Sequence, residues 1–125
     1  MLKILYVGAG GFIGSVSRYL IGDWVHRALG GAWFPLGTLA VNVFGCLIIG
    51  FLGGLTSSRQ LFNPEARLFI FLGVLGGFTT FSTFGYETFA LAQESEPIAA
   101  AANVIIHVIL GLSAVWLGHF LSRMI

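Results

Sequence analysis

The chain has 125 residues, 57% of them hydrophobic and 9% charged, with a mean hydropathy of +0.94 and a formal net charge of +1. A water-soluble domain carries about 25% charged residues, so these charges are too few to cover a solvated surface, and a membrane class is implied. The balance gives no sign of a nucleic-acid partner, and the one cysteine, Cys46, excludes a disulfide framework and reads as a small residue in an apolar run.

A helix needs about 20 mostly apolar residues to cross the hydrocarbon core. Four stretches qualify, at about residues 4–21, 37–55, 67–92 and 98–121. This spacing predicts an all-α, four-span transmembrane protein, a single domain over residues 1–125 with no extramembrane unit.

The first stretch starts as a secretory leader would, but it stays apolar to about Leu20 with no small-residue cleavage site, so it reads as an uncleaved span. Within it, Gly8-Ala9-Gly10-Gly11-Phe12-Ile13-Gly14 imitates a dinucleotide-binding fingerprint. That motif needs further βα units and a soluble surface around it, and the chain offers neither. The glycines are better read as a helix-packing face. Gly10 and Gly14, Gly50 and Gly54, and Gly73 and Gly77 each set small residues one turn apart, a spacing that lets helices approach closely in lipid. Arg18 ends the span and reaches either headgroups or an aqueous vestibule, where it attracts anions.

The connectors hold most of the charges. The first carries Asp23, His26, Arg27 and Pro35, the second Arg59, Asn63, Pro64 and Glu65, and the third Glu94, Glu96 and Pro97. Each proline stands near a span start, where its missing N–H is tolerated. Tyr6, Trp24, Trp33 and Trp116 suit the interfacial aromatic belt. An even number of spans puts both termini on one side, with Lys3, Arg59, Arg67 and Arg123; Arg18 and Arg27 lie on the other. Four against two favours cytoplasmic termini by a margin that one added charge erases, as in a chain that inserts both ways.

Polar residues inside spans are costly, so their positions carry information. In the second span Thr38 and Asn42 share a face. The Asn42 amide offers two donors, either to an anion or to a neighbouring helix. The third span reads Gly76-Gly77-Phe78-Thr79-Thr80-Phe81-Ser82-Thr83-Phe84. Two glycines weaken the helix at mid-depth and predict a break there, tolerated only where it lines a cavity or is buried in protein. Freed carbonyls there suit a cation. Phe81 and Phe84 share a face among hydroxyls, and phenyl edges carry partial positive charge that suits an anion. Glu87, one turn on, is either a vestibule group or a solvated end. In the fourth span Asn103 and His107 face the same way, and His107 either donates to an anion or bridges two helices.

These motifs closely resemble the Fluc family of fluoride channels, also called CrcB-like proteins. The resemblance covers nearly the whole chain: four spans, an arginine ending the first, Gly37-Thr38-Leu39-Ala40-Val41-Asn42 in the second, and above all Gly76 to Phe84 in the third. His107 resembles a polar fourth-span position of some members. The resemblance implies an antiparallel homodimer of dual topology in the bilayer of the cell inner (plasma) membrane. It also implies two fluoride pathways and a structural Na+ that is not transported. Carried over by position, the carbonyls of Gly76 and Thr79 bind sodium, and Asn42, Phe81 and Phe84 line the fluoride path. Thr38, Ser82, Thr83 and His107 are supporting polar contacts. The chain departs from the family at Gly85, where many members have serine, at Gly111, one turn after His107, and at Phe78, where leucine is common.

The expected function is passive export of toxic fluoride, with no reaction catalysed. The alternative is a proton-coupled exporter of the small multidrug type, which wants a membrane-embedded carboxylate to trade protons with its substrate. A third reading, a non-conducting accessory subunit, leaves the hydroxyl–phenylalanine cluster without a purpose.

Overall fold

The computed structural model describes residues 1–59 and 61–125. The Ser58 and Arg59 side chains and Gln60 lie outside the described set; Arg59 and Gln60 belong to the expected second connector. Helix α1 spans Leu2–Ala28 and α2 spans Leu36–Arg59. The third span is composite: α3 at Pro64–Arg67, a π-helix at Leu68–Leu75, α4 at Gly76–Phe78 and α5 at Phe81–Gln93. Helix α6 spans Pro97–Ser122. Four candidate membrane spans result, Leu2–Ala28, Leu36–Ser57, Pro64–Gln93 and Pro97–Ser122, and no strand occurs among the described residues.

The helix ends follow local chemistry. Helix α1 runs seven residues beyond its expected end at residue 21, because Asp23 and Arg27 form an i,i+4 ion pair on its last turns. Asp23, His26 and Arg27 are therefore helical and not in a connector. Gly30 and Gly31, with φ of 70° and 71°, then turn the chain. Asn63 caps α3 by accepting from the Ala66 N–H at 2.8 Å, with Pro64 at the first helical position. Pro97 opens α6 in the same way.

Glycine faces sort the helices into two pairs. A Cβ at Gly10 or Gly14 would run into the carbonyls of Phe69 or Val74, and one at Gly73 would lie 2.8 Å from Gly10 Cα. Helix α1 therefore rests directly on the backbone of the third span. On the other side a Cβ at Gly50 would meet the Val115 carbonyl, and one at Gly118 the Leu47 carbonyl, locking α2 to α6. The apparent nucleotide fingerprint lies inside α1 as part of this packing face. Between the pairs runs a groove, with Gly45, Cys46 and Ile49 on one wall and Phe71 and Leu75 on the other.

Candidate functional site

Thr79 and Thr80 interrupt the third span. Their φ, ψ values of −83°, 157° and −149°, 117° are extended, with helix on either side. The break expected at Gly76-Gly77 lies three residues further on. Gly76 is helical, with φ −64° and ψ −36°. A Cβ on Gly77 would stand 2.7 Å from the Gly11 carbonyl oxygen. The glycine pair lets the helix approach α1, and the chain opens immediately after it.

An extended pair at this depth exposes backbone groups that hydrocarbon cannot satisfy. Asn42 meets them from α2. Its Nδ2 donates to the Thr80 carbonyl at 3.1 Å, and its Oδ1 accepts from the Thr80 N–H at 2.8 Å. Thr80 then caps α5: its Oγ1 accepts from the Thr83 N–H at 3.2 Å and lies 3.0 Å from Thr83 Oγ1, to which it donates. In an unbroken helix the Thr80 N–H would go to the Gly76 carbonyl and the Thr83 N–H to the Thr79 carbonyl. Both donors are engaged elsewhere, so the oxygens of Gly76 and Thr79 have lost their helical partners.

Two cavities meet at Thr80. One, of about 390 Å³, takes in Asn42, Phe81, Phe84 and His107 together with Gly76 and Thr79. The other, of about 350 Å³, takes in Arg18, Thr38, Thr83 and Glu87. The residues singled out in the sequence thus divide between two spaces joined at the break. Ser82 is the exception: it is exposed, lines neither cavity, and lies 3.4 Å from Thr80 Oγ1.

In the first cavity the Phe81 and Phe84 ring centroids lie 5.5 Å apart, and those of Phe84 and His107 lie 4.5 Å apart. Phe81 is 83% exposed, so its ring projects beyond its own chain. His107 Nδ1 is 3.0 Å from the Asn103 carbonyl oxygen. A carbonyl only accepts, so Nδ1 carries the proton. Nε2 is buried without a partner. In the second cavity Thr38 donates to Glu87 Oε1 at 2.6 Å, and Glu87 Oε2 is buried without a partner. Glu87 is therefore a half-buried group held by α2, not a solvated helix end.

The profile of the family described as CrcB-like protein, Camphor Resistance (CrcB), matches residues 5–119. The chain belongs to the CrcB-like family. Its relatives are named as channels. It is 42% identical to the fluoride-specific ion channel FluC of Methylobacillus flagellatus, over 99% of this chain and 97% of that protein. It is 45% identical to FluC of Rhizobium meliloti, over 98% of each. Identity to FluC 3 of Methanosarcina barkeri is 41%, over 94% of this chain and 88% of that one. With its four apolar helices, this CrcB-like chain is a multi-pass membrane protein.

Three residues gain weight that the sequence did not give them. Thr80 uses its N–H, carbonyl and hydroxyl at the break and borders both cavities. Thr88 and Asn103 join α5 to α6 behind Phe84. No local signal separates Thr80 from the other hydroxyls near it, because its partner Asn42 is 38 positions away.

Proposed function

We propose that this CrcB-like chain is a fluoride-selective channel that lets toxic cytoplasmic fluoride leave passively, acting as an antiparallel homodimer in the cell inner membrane. The relatives' names support fluoride as the permeant ion. The observation that carries the reading is the pinned break at Thr79–Thr80, where a phenylalanine-walled cavity and an arginine-bearing cavity meet.

Each residue has a physical task in this reading. Arg18 raises the local anion concentration in the vestibule it shares with Glu87. The Thr83 hydroxyl and the second Nδ2 hydrogen of Asn42 replace part of the hydration shell of fluoride, while Thr38 spends its hydrogen on Glu87 in the vestibule. Ser82 adds a polar contact at the margin, and His107, whose N–H is engaged by the Asn103 carbonyl, packs its ring against Phe84. The edges of Phe81 and Phe84 face the anion with their positive rims. Phe81 is as exposed as several lipid-facing side chains, but it lines the groove, where a second chain would close over it. Charge favours pairing head to tail. Lys3, Arg67 and Arg123 outnumber Glu65 at one end of the bundle, and Asp23, Glu94 and Glu96 outnumber Arg18 and Arg27 at the other, so antiparallel chains set ends of opposite net sign side by side.

Sodium fits the same frame. Hard cations take oxygen ligands, and the Gly76 and Thr79 carbonyls are oxygens without helical donors. The Gly76 and Thr79 carbonyls of two chains would hold a Na+, which would supply a fixed positive charge between them. Among the described residues no cluster of His, Cys, Asp or Glu competes as a metal site.

The test is ion efflux from liposomes holding the purified protein, followed with fluoride and chloride electrodes. Fluoride should leave rapidly without an imposed proton gradient while chloride stays behind. Chloride release at a similar rate defeats the selectivity. A requirement for a proton gradient favours the small multidrug-type exporter, for which Glu87, half-buried against Thr38, is the available carboxylate.

A further inference from the structure

Asn103 is fully buried, at 0% exposure, in the second turn of α6. An amide in such a place is costly unless its groups are used. Its Nδ2 donates to Thr88 Oγ1 at 2.9 Å, and Thr88 Oγ1 donates to the Phe84 carbonyl at 2.8 Å. This relay ends on the residue whose ring faces His107. The Asn103 carbonyl holds His107 Nδ1. One residue thus stands behind both members of the Phe84–His107 pair, by its side chain on α5 and by its backbone on α6. Two acceptors remain on the same face, Asn103 Oδ1 and His107 Nε2, buried and without partners among the described residues. A leucine of similar size would pack at position 103 without leaving any acceptor to satisfy. A purely apolar role therefore does not account for the amide.

We propose that Asn103 is a positioning residue for the fluoride pathway: through its side-chain bond to Thr88 and its carbonyl bond to His107 Nδ1, it fixes how α5 and α6 set the Phe84 ring against the His107 imidazole in the cavity wall. The proposal rests on the channel reading above, and its test has an arm that does not. Thr88→Val removes the relay hydroxyl at nearly constant shape, Thr88→Ser keeps it, and Asn103→Leu removes the amide. In liposomes Thr88→Val should slow fluoride efflux about fivefold, the factor equivalent to one ordinary hydrogen bond. Thr88→Ser should keep the wild-type rate. The double variant should be no worse than the poorer single, because the two residues act in one relay. Nitrogen NMR of labelled His107 should show the Nδ1–H tautomer in the wild type, and an Nε2 signal that moves in Asn103→Leu but not in Thr88→Ser. Wild-type rates in Thr88→Val, losses that multiply in the double variant, or an Nε2 signal indifferent to Asn103 would overturn the proposal. If Asn103→Leu does not assemble, the two Thr88 variants decide it. If the wild type conducts no fluoride, the channel reading fails, while the NMR comparison still judges Asn103.

Discussion

Asn42 shows how one side chain can make a broken span tolerable. It accepts from the Thr80 N–H, which has lost its helical acceptor, and adds a second donor to the Thr80 carbonyl, which already caps α5. Asn42→Ala should therefore leave the Thr80 N–H unmatched, at about 1–3 kcal/mol. Both the melting temperature in detergent and the fluoride flux should fall, and an unchanged melt would remove Asn42 from this role. The aromatic wall should respond differently. Phe81→Ile and Phe84→Ile keep apolar bulk but lose the ring edge, so each should slow efflux while the dimer persists on size exclusion. Unchanged flux in both would rule out a path along phenyl edges. Sequence alone identified Asn42, Phe81 and Phe84, because polar and aromatic groups inside a span are conspicuous. It left the Asn42 amide undecided between an anion and a helix, since that depends on a partner far along the chain. Glu87 was hard to place for the same reason: its depth depends on Thr38, 49 positions earlier.

Among the elements, the glycine faces decide the packing. Sequence spacing marked three of them, and the structure adds their partners: the pair on α1 faces the pair on the third span, and the α2 pair faces α6. A Cβ at Gly14 would enter the Val74 carbonyl, whereas one at Gly8 would meet nothing within 4 Å. Gly14→Ala should destabilise by about 1–3 kcal/mol, the usual cost of forcing extra volume into a packed interface, and Gly8→Ala should be neutral. Thermal melts of the two variants beside the wild type make the comparison, and equal melts would mean that α1 does not rest on the third span as described. The helix break was only half legible. A glycine pair in a span suits both a kink and a close contact, and composition does not choose between them. Here the contact with Gly11 takes Gly77, and the kink falls on two threonines that Asn42 and the α5 cap can satisfy. The span count followed from hydropathy alone, but the end of α1 did not, because the Asp23–Arg27 pair carries the helix past its apolar run.

For the whole molecule, the fold leaves a groove between the third span and the α2–α6 pair, an exposed Phe81 and opposite net charges at the two ends. Together they suit a second copy turned upside down. Orientation can be read with an impermeant thiol reagent on intact cells. In a Cys46→Ser background carrying Ser95→Cys, antiparallel pairing predicts that about half of the chains are labelled from outside, as two-fold pairing requires. Labelling of all or of none would exclude it. The pinned break also bears on how such a molecule responds to temperature. Because Thr79 and Thr80 are already extended and bonded, no helix has to unwind before an ion can pass. Passage is then free of the slow conformational step that limits many transporters. The Arrhenius slope of fluoride efflux should be as shallow as that of ion diffusion in water, and a steep slope would mean that the break must first be opened.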